Sequence, residues 1–156
     1  PSATAEVVSL ITIDQLINSI SPSADIYLLK TDIEGFDSLA LLGAKQILRE
    51  KRVKWLIFEY NRQWRVVGRP LRKTVHFMHS FQYDCYLIIP SAGLLPLTAP
   101  FWDDEYEIWQ WSNVLCGHEE DKDVINLARF MIEGERASFE EYVLYKSEQY
   151  YQNVNI

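Results

Sequence analysis

Asp32 and Glu34 stand two residues apart, followed by Gly35, where the short apolar run "DIYLLKT" gives way to a longer amphipathic stretch. A third carboxylate, Glu59, closes the next apolar run, "VKWLIFEY". Carboxylates at such positions can take a proton from a substrate hydroxyl, hold a cation or orient a donor. For Glu34 a purely structural role is equally open, because an acid at this point can cap the helix that follows. Asp32 has fewer helix amides within reach, so chemistry is the better reading for it. The segment "NRQWRVVGRPLRK", just after Glu59, carries Arg62, Arg65, Arg69, Arg72 and Lys73 without one acidic residue. Placed over a strand end, such a basic, Trp-bearing loop suits an anionic or sugar-like ligand through hydrogen bonding and ring stacking. A solvated helix start, or pairing with acidic groups elsewhere, explains it equally well.

The elements that must position these residues are legible from pattern. Thr12-Ile13-Asp14-Gln15 fits a capping box and starts a short helix over about 13–20, which Ser21-Pro22-Ser23 stops. Residues 25–31 read as a strand apolar on nearly every position, as expected for a parallel sheet covered on both faces. From Phe36 the apolar period becomes helical through Leu39, Ala40, Gly43 and Ile47, with Gly43 bending or interrupting the helix. Residues 53–60 give the next strand, so strand, helix and strand form a right-handed parallel crossover. A helix over 71–81, a strand "DCYLIIP", a loop over 90–100 and a strand "YEIWQWSNVLC" follow, the last two strands running antiparallel. Two acidic helices are expected at about 121–133 and 138–151. In open sheets of this kind ligands bind beyond the carboxyl ends of the strands. Asp32 and Glu59 should therefore share one crevice with the 61–73 segment.

"LLKTDIEGFDSLALLGAKQIL" followed by "VKWLIFEY" resembles the C-terminal half of FkbM-type S-adenosylmethionine-dependent methyltransferases. Lys30, Thr31, Asp32, Ile33, Glu34 and Gly35 match the family's lysine, apolar residue, Asp, apolar residue, Glu-Gly pattern, with Thr31 in place of the usual apolar residue. Leu41, Gly43, Ala44 and Glu59 match its L-x-G-A helix and its strand ending in Glu. "SLITIDQLI" and the late "YLIIPSAGLLPL…NVLC" hairpin are similar too. The resemblance spans about residues 8–118. It implies an α/β fold, the C-terminal portion of a Rossmann-like methyltransferase sheet, with parallel strands followed by an antiparallel hairpin and helices on both faces. The whole chain then reads as one domain, 1–156, with an acidic helical extension at about 119–156. It implies methyl transfer from S-adenosylmethionine to an oxygen of a small-molecule or saccharide substrate. The site residues it implies are Asp32 and Glu34 as catalytic groups, Asp32 also toward the cofactor, and Lys30, Glu59, Asn61, Arg62 and Arg65 toward the substrate. The cofactor-binding half of such an enzyme needs a glycine-rich loop after its first strand. The glycines here, at 35, 43, 68, 93, 117 and 134, are too dispersed to form one. A binding module derived from the same fold, engaging a partner without catalysis, is the alternative. A hydrolase using Asp32 and Glu34 as an acid/base pair is weaker, since neighbours two apart at a strand end need not face one another.

Composition excludes several other classes. No apolar run approaches the roughly 20 residues of a membrane span. No signal-peptide pattern opens the chain, whose first residue is Pro1, which fits a processed product or a piece of something longer. A cytoplasmic setting is the expectation for the segment as given. Residues 102–156 hold 13 acidic and 4 basic residues, against 9 and 11 in residues 1–101. This acidic face disfavours non-specific nucleic-acid binding, which relies on cations neutralising phosphates. Cys85 and Cys116 read as buried thiols rather than a bridge. His76 and His79, three apart on a helix, read as surface or core-edge histidines, and His118, beside Glu119, Glu120 and Asp121, as part of a solvated loop. No metal centre is expected. Phe101, Trp102, Tyr106, Trp109 and Trp111 read as sheet packing rather than a ligand platform. With no first strand of a cofactor half beside it, the strand over 26–31 should be an exposed edge through which the chain self-associates, unless "EVVSLI" folds across it.

Overall fold

The computed structural model describes residues 8–89 and 93–121. The two acidic helices expected beyond Asp121 lie outside the described residues. Five strands form one sheet in the order β1-β2-β5-β3-β4. The strands are β1 (Ile26–Thr31), β2 (Val53–Tyr60), β3 (Tyr83–Ile89), β4 (Gly93–Pro96) and β5 (Ser112–His118). The helices are α1 (Ile13–Ile20), α2 (Asp37–Leu42), α3 (Lys45–Arg49), α4 (Trp64–Val67) and α5 (Leu71–His79). β1 and β2 are parallel, with Ile26 opposite Val53 and Thr31 opposite Phe58, and every other pairing is antiparallel.

Local chemistry accounts for the first helices. The Thr12 hydroxyl accepts from the Gln15 amide, and the Gln15 side chain accepts from the Thr12 amide, completing the capping box of α1. Asp14 has a second task. Its carboxylate accepts from the Gln46 amide at 2.9 Å and the Ile47 amide at 3.1 Å, capping α3 from another helix, while its own amide donates to Gly43 O. Such caps contribute about 1 kcal/mol each. The break at Gly43 resets the helical phase, which is why Leu41, Ala44, Ile47 and Leu48 are buried while Phe36 and Leu39 remain exposed.

The sheet's two faces differ. Leu56, Phe58 and Tyr60 of β2, Cys85 and Leu87 of β3, and Val114 and Cys116 of β5 pack with residues of all five helices into the main core. On the alternate positions, Trp55, Ile57, Tyr86, Ile88, Leu94 and Leu115 form a second cluster to which, among the described residues, strands alone contribute. β1 is the edge strand on one side, and Tyr27 and Leu28 are exposed. The apolar character of residues 25–31 therefore does not reflect cover on both faces among the described residues.

Four expectations need correction. Cys85 and Cys116 are joined in a disulfide, not free; they stand opposite each other in the β3–β5 register, with Cα atoms 4.1 Å apart. The loop over 90–100 contains β4, which pairs back onto β3 through Ile89 and Gly93. The last strand begins at Ser112, because residues 104–106 form a 3-10 turn and Trp109 has a φ of 55°. His118 is buried, its ring meeting Tyr83 edge-on at 5.6 Å, and so does not belong to a solvated loop.

Candidate functional site at the carboxyl ends of the parallel strands

The β1–β2 register sets Asp32 next to Glu59, each just past a paired position. Lys30 donates to Asp32 Oδ2 at 2.6 Å, and this hydrogen bond is the main reason the Asp32 carboxyl is held below the ordinary carboxylate value. The charge of Lys30 acts in the same direction and desolvation opposes it, while a side-chain contact with Glu59 adds to the lowering. Reciprocally, the bond to Asp32 raises Lys30. Glu59 is buried, and Asn61 orients it by donating from Nδ2 to Glu59 Oε1. Asn61 Oδ1 in turn accepts from the Gln63 amide at 2.8 Å, which turns the chain sharply after β2.

Gly35 brings the two strand-end loops together. A Cβ there would lie 2.6 Å from Gln63 Cβ and 3.0 Å from the Gln63 carbonyl carbon, and its φ is 97°. Glu34, in the same turn with φ 53°, does not cap the following helix: the N-cap of α2 is Phe36, without a side-chain hydrogen bond. Asp37 and Ser38 are buried, and neither Asp37 carboxylate oxygen has a hydrogen-bond partner among the described residues.

Between these loops and the segment leading into β5 lies a cleft of about 440 Å³, lined by Glu34, Glu59, Asn61, Arg62, Gln63, Trp109, Gln110 and Trp111. Asp32 and Lys30 are not among the lining residues; they sit beside Glu59 as an exposed ion pair. Arg65 lies with its guanidinium 5.2 Å from the centre of the Trp109 ring, so it forms part of the Trp109 wall. Trp111 is 78% exposed. A depression of similar size exists at the opposite end of the sheet. There Lys51 and Lys54 pair with Glu120 and Asp121, and no strand carboxyl end of the parallel pair opens into it. The side-chain amides and the tryptophan rings belong to the first cleft alone of the two.

Two sequence expectations change here. Trp64 is not a stacking group of a basic loop: it is fully buried in α4, stacked on Phe58 and edge-on to Tyr60. Trp109, expected as core packing, does pack against the core and Tyr60 but also lines the cleft, and Trp111, expected as packing too, is exposed there. What positions them is Glu107, which the sequence did not single out. Its carboxylate accepts from the Leu71 and Arg72 amides at the start of α5 and from the Tyr60 hydroxyl, which itself accepts from the Trp109 amide. Burial and this bond to Glu107 raise the Tyr60 pKa strongly, keeping its hydroxyl a donor. The only local hint was an acid within an aromatic run.

A family model, the methyltransferase FkbM domain, matches residues 2–85, which include β1, β2 and the turns carrying Asp32, Glu34 and Glu59. Strands β4 and β5, and the segment between them that carries Trp109 and Trp111, lie beyond the matched residues. Searches among curated proteins and among solved structures returned no match.

Proposed function

The chain belongs to the FkbM methyltransferase domain family, and from that premise we propose that it forms the acceptor side of an S-adenosylmethionine-dependent O-methyltransferase acting on a saccharide or similar polyhydroxylated small molecule. The observation that carries this reading is the cleft itself. Its amides Asn61, Gln63 and Gln110, its Arg62, and the Trp109 and Trp111 rings suit a ligand with many hydroxyls and an apolar ring face. S-adenosylmethionine supplies the electrophilic methyl group. The acceptor hydroxyl oxygen would bond to the methyl carbon as the methyl–sulfur bond breaks and the neutral thioether leaves, and its proton would pass to a carboxylate, with Asp32 and Glu34 as the catalytic candidates and Glu59 oriented beside them by Asn61. Arg62 in the lining, Arg65 against Trp109 and Lys30 beside Asp32 are the basic candidates for substrate contact. Toward the cofactor, Asp32 offers the negative charge that a sulfonium centre favours. The chain's six glycines offer no closely spaced pair for the nucleoside.

Titrating the chain with mono- and disaccharides should quench or shift tryptophan emission, and Trp111→Ala should weaken that binding by about tenfold. Labelled S-adenosylmethionine added to the protein should then mark the bound saccharide. Saccharide binding that is never followed by transfer would favour the second reading, a non-catalytic binding module on the same fold. No response to any saccharide would remove the substrate assignment.

The edge of β1, unpaired among the described residues, carries a further part of the proposal. Val8, Leu10 and Ile11 are exposed and give it no cover, and Tyr27 and Leu28 line an apolar groove of about 280 Å³ with Trp55 and Leu115. Self-association through this edge should appear as a concentration-dependent mass in light scattering, and Leu28→Lys should abolish it. A monomer at every concentration would contradict this.

A further inference from the structure

We propose that His79, Asp84 and Glu119 form a binding site for a divalent transition-metal ion such as Zn2+, at the end of the sheet opposite the cleft. One donor comes from the C-terminal turn of α5, one from the start of β3 and one from the residue after β5, and their ligand atoms all lie within 4.8 Å of one another. At metal–ligand bonds of about 2.1 Å, neighbouring donors stand about 3 to 3.5 Å apart, so the trio needs to close by only about an ångström. His79 Nδ1 is already 3.9 Å from Asp84 Oδ1.

The surroundings hold the two carboxylates in place. Gln82 donates from Nε2 to Glu119 Oε1 at 3.1 Å and accepts from the Glu119 amide at 2.9 Å, in the left-handed conformation of φ 66°. Thr98, whose hydroxyl accepts from the Cys85 amide at 2.8 Å, favours the charged form of Asp84. Such outer contacts orient metal ligands. Asp84 is also under electrostatic pressure: burial and the neighbouring charge of Glu119 raise its pKa, against the weaker pull of His79. A cation between the two carboxylates relieves that pressure. One imidazole with two carboxylates suits a borderline ion better than Ca2+, which takes oxygen ligands alone. His118 is adjacent but outside the trio, and its Nδ1 accepts from the Glu120 amide. His76, the other histidine of α5, is exposed and outside the trio. The ion would clasp the end of β5 to the turn between α5 and β3, beside the Cys85–Cys116 disulfide, serving the fold and not the methyl transfer.

Titration calorimetry of the chain with Zn2+ should give one site, Co2+ should give visible d–d absorption, and excess Ca2+ should displace neither. His79→Ala, Asp84→Asn and Glu119→Gln should each weaken Zn2+ binding by about tenfold or more, and His76→Ala should leave it unchanged. His79 is exposed, so its variant should keep the wild-type circular dichroism spectrum and decide the matter even if Asp84→Asn disturbs folding. No saturable Zn2+ binding, or binding that His79→Ala leaves intact, would overturn the proposal.

Discussion

If the proposed methyl transfer is right, Asp32→Asn is expected to cut it by about 100-fold while barely moving the thermal unfolding midpoint. The asymmetry follows from position. Asp32 lies just beyond the paired residues of β1, its side chain is about half exposed, and its partner Lys30 is exposed as well, so the ion pair contributes little to folding. What the substitution removes is a negative charge held in contact with Glu59 at the point where both parallel strands end. Lys30 keeps the Asp32 carboxyl below the ordinary carboxylate value of 3.8. The small stabilisation from that pairing is present above that value and is lost as pH falls through the lowered one. A loss of activity setting in near neutral pH would thus belong to another group. Single-turnover transfer from a labelled methyl donor, set beside a calorimetric scan of the same variant, tests the point. Parallel losses of turnover and stability would mark Asp32 as a structural acid.

Local and near-local chemistry was readable from the chain. The Thr12–Gln15 capping box, the break at Gly43 and the parallel crossover all depend on residues a few positions apart or on strong periodicity, and the crossover alone suffices to set Asp32 beside Glu59. Features created by distant pairing were not readable. Where β5 inserts, between β2 and β3, decides that Cys85 faces Cys116 and that Asp84 comes near Glu119. Nothing in the sequence between the cysteines, which are 31 positions apart, fixes that register. Glu107 reaches Leu71 and Tyr60 across 36 and 47 positions, and by holding the chain there it ends the extended aromatic run that sequence alone assigned to a strand. Trp64 and Trp111 show the same limit. Both are tryptophans near basic or polar residues, and only the folding of α4 against Phe58 buries one and leaves the other in the cleft.

Gly35→Ala is expected to cost about 3 to 5 kcal/mol of stability, the sum of a left-handed backbone strain and an overpacking term. The strain comes from a φ of 97°, which L side chains rarely adopt. The overpacking comes from Gln63, whose Cβ and carbonyl carbon stand 2.6 and 3.0 Å from where the new methyl would lie. Because one of those atoms is backbone, no rotamer change relieves the contact, and the Asn61–Gln63 turn must move. That turn holds Glu59 through Asn61 and forms one wall of the cleft, so saccharide binding should weaken together with stability. Gly68 supplies the control. It too has a positive φ, 66°, but a Cβ there meets nothing within 4 Å. Gly68→Ala should carry the strain alone, about 1 kcal/mol, and leave the cleft intact. Urea denaturation and saccharide titration of the two variants separate the effects. Equal destabilisation by both would mean that backbone strain dominates at Gly35, and that the close approach of the two strand-end loops does not shape the site.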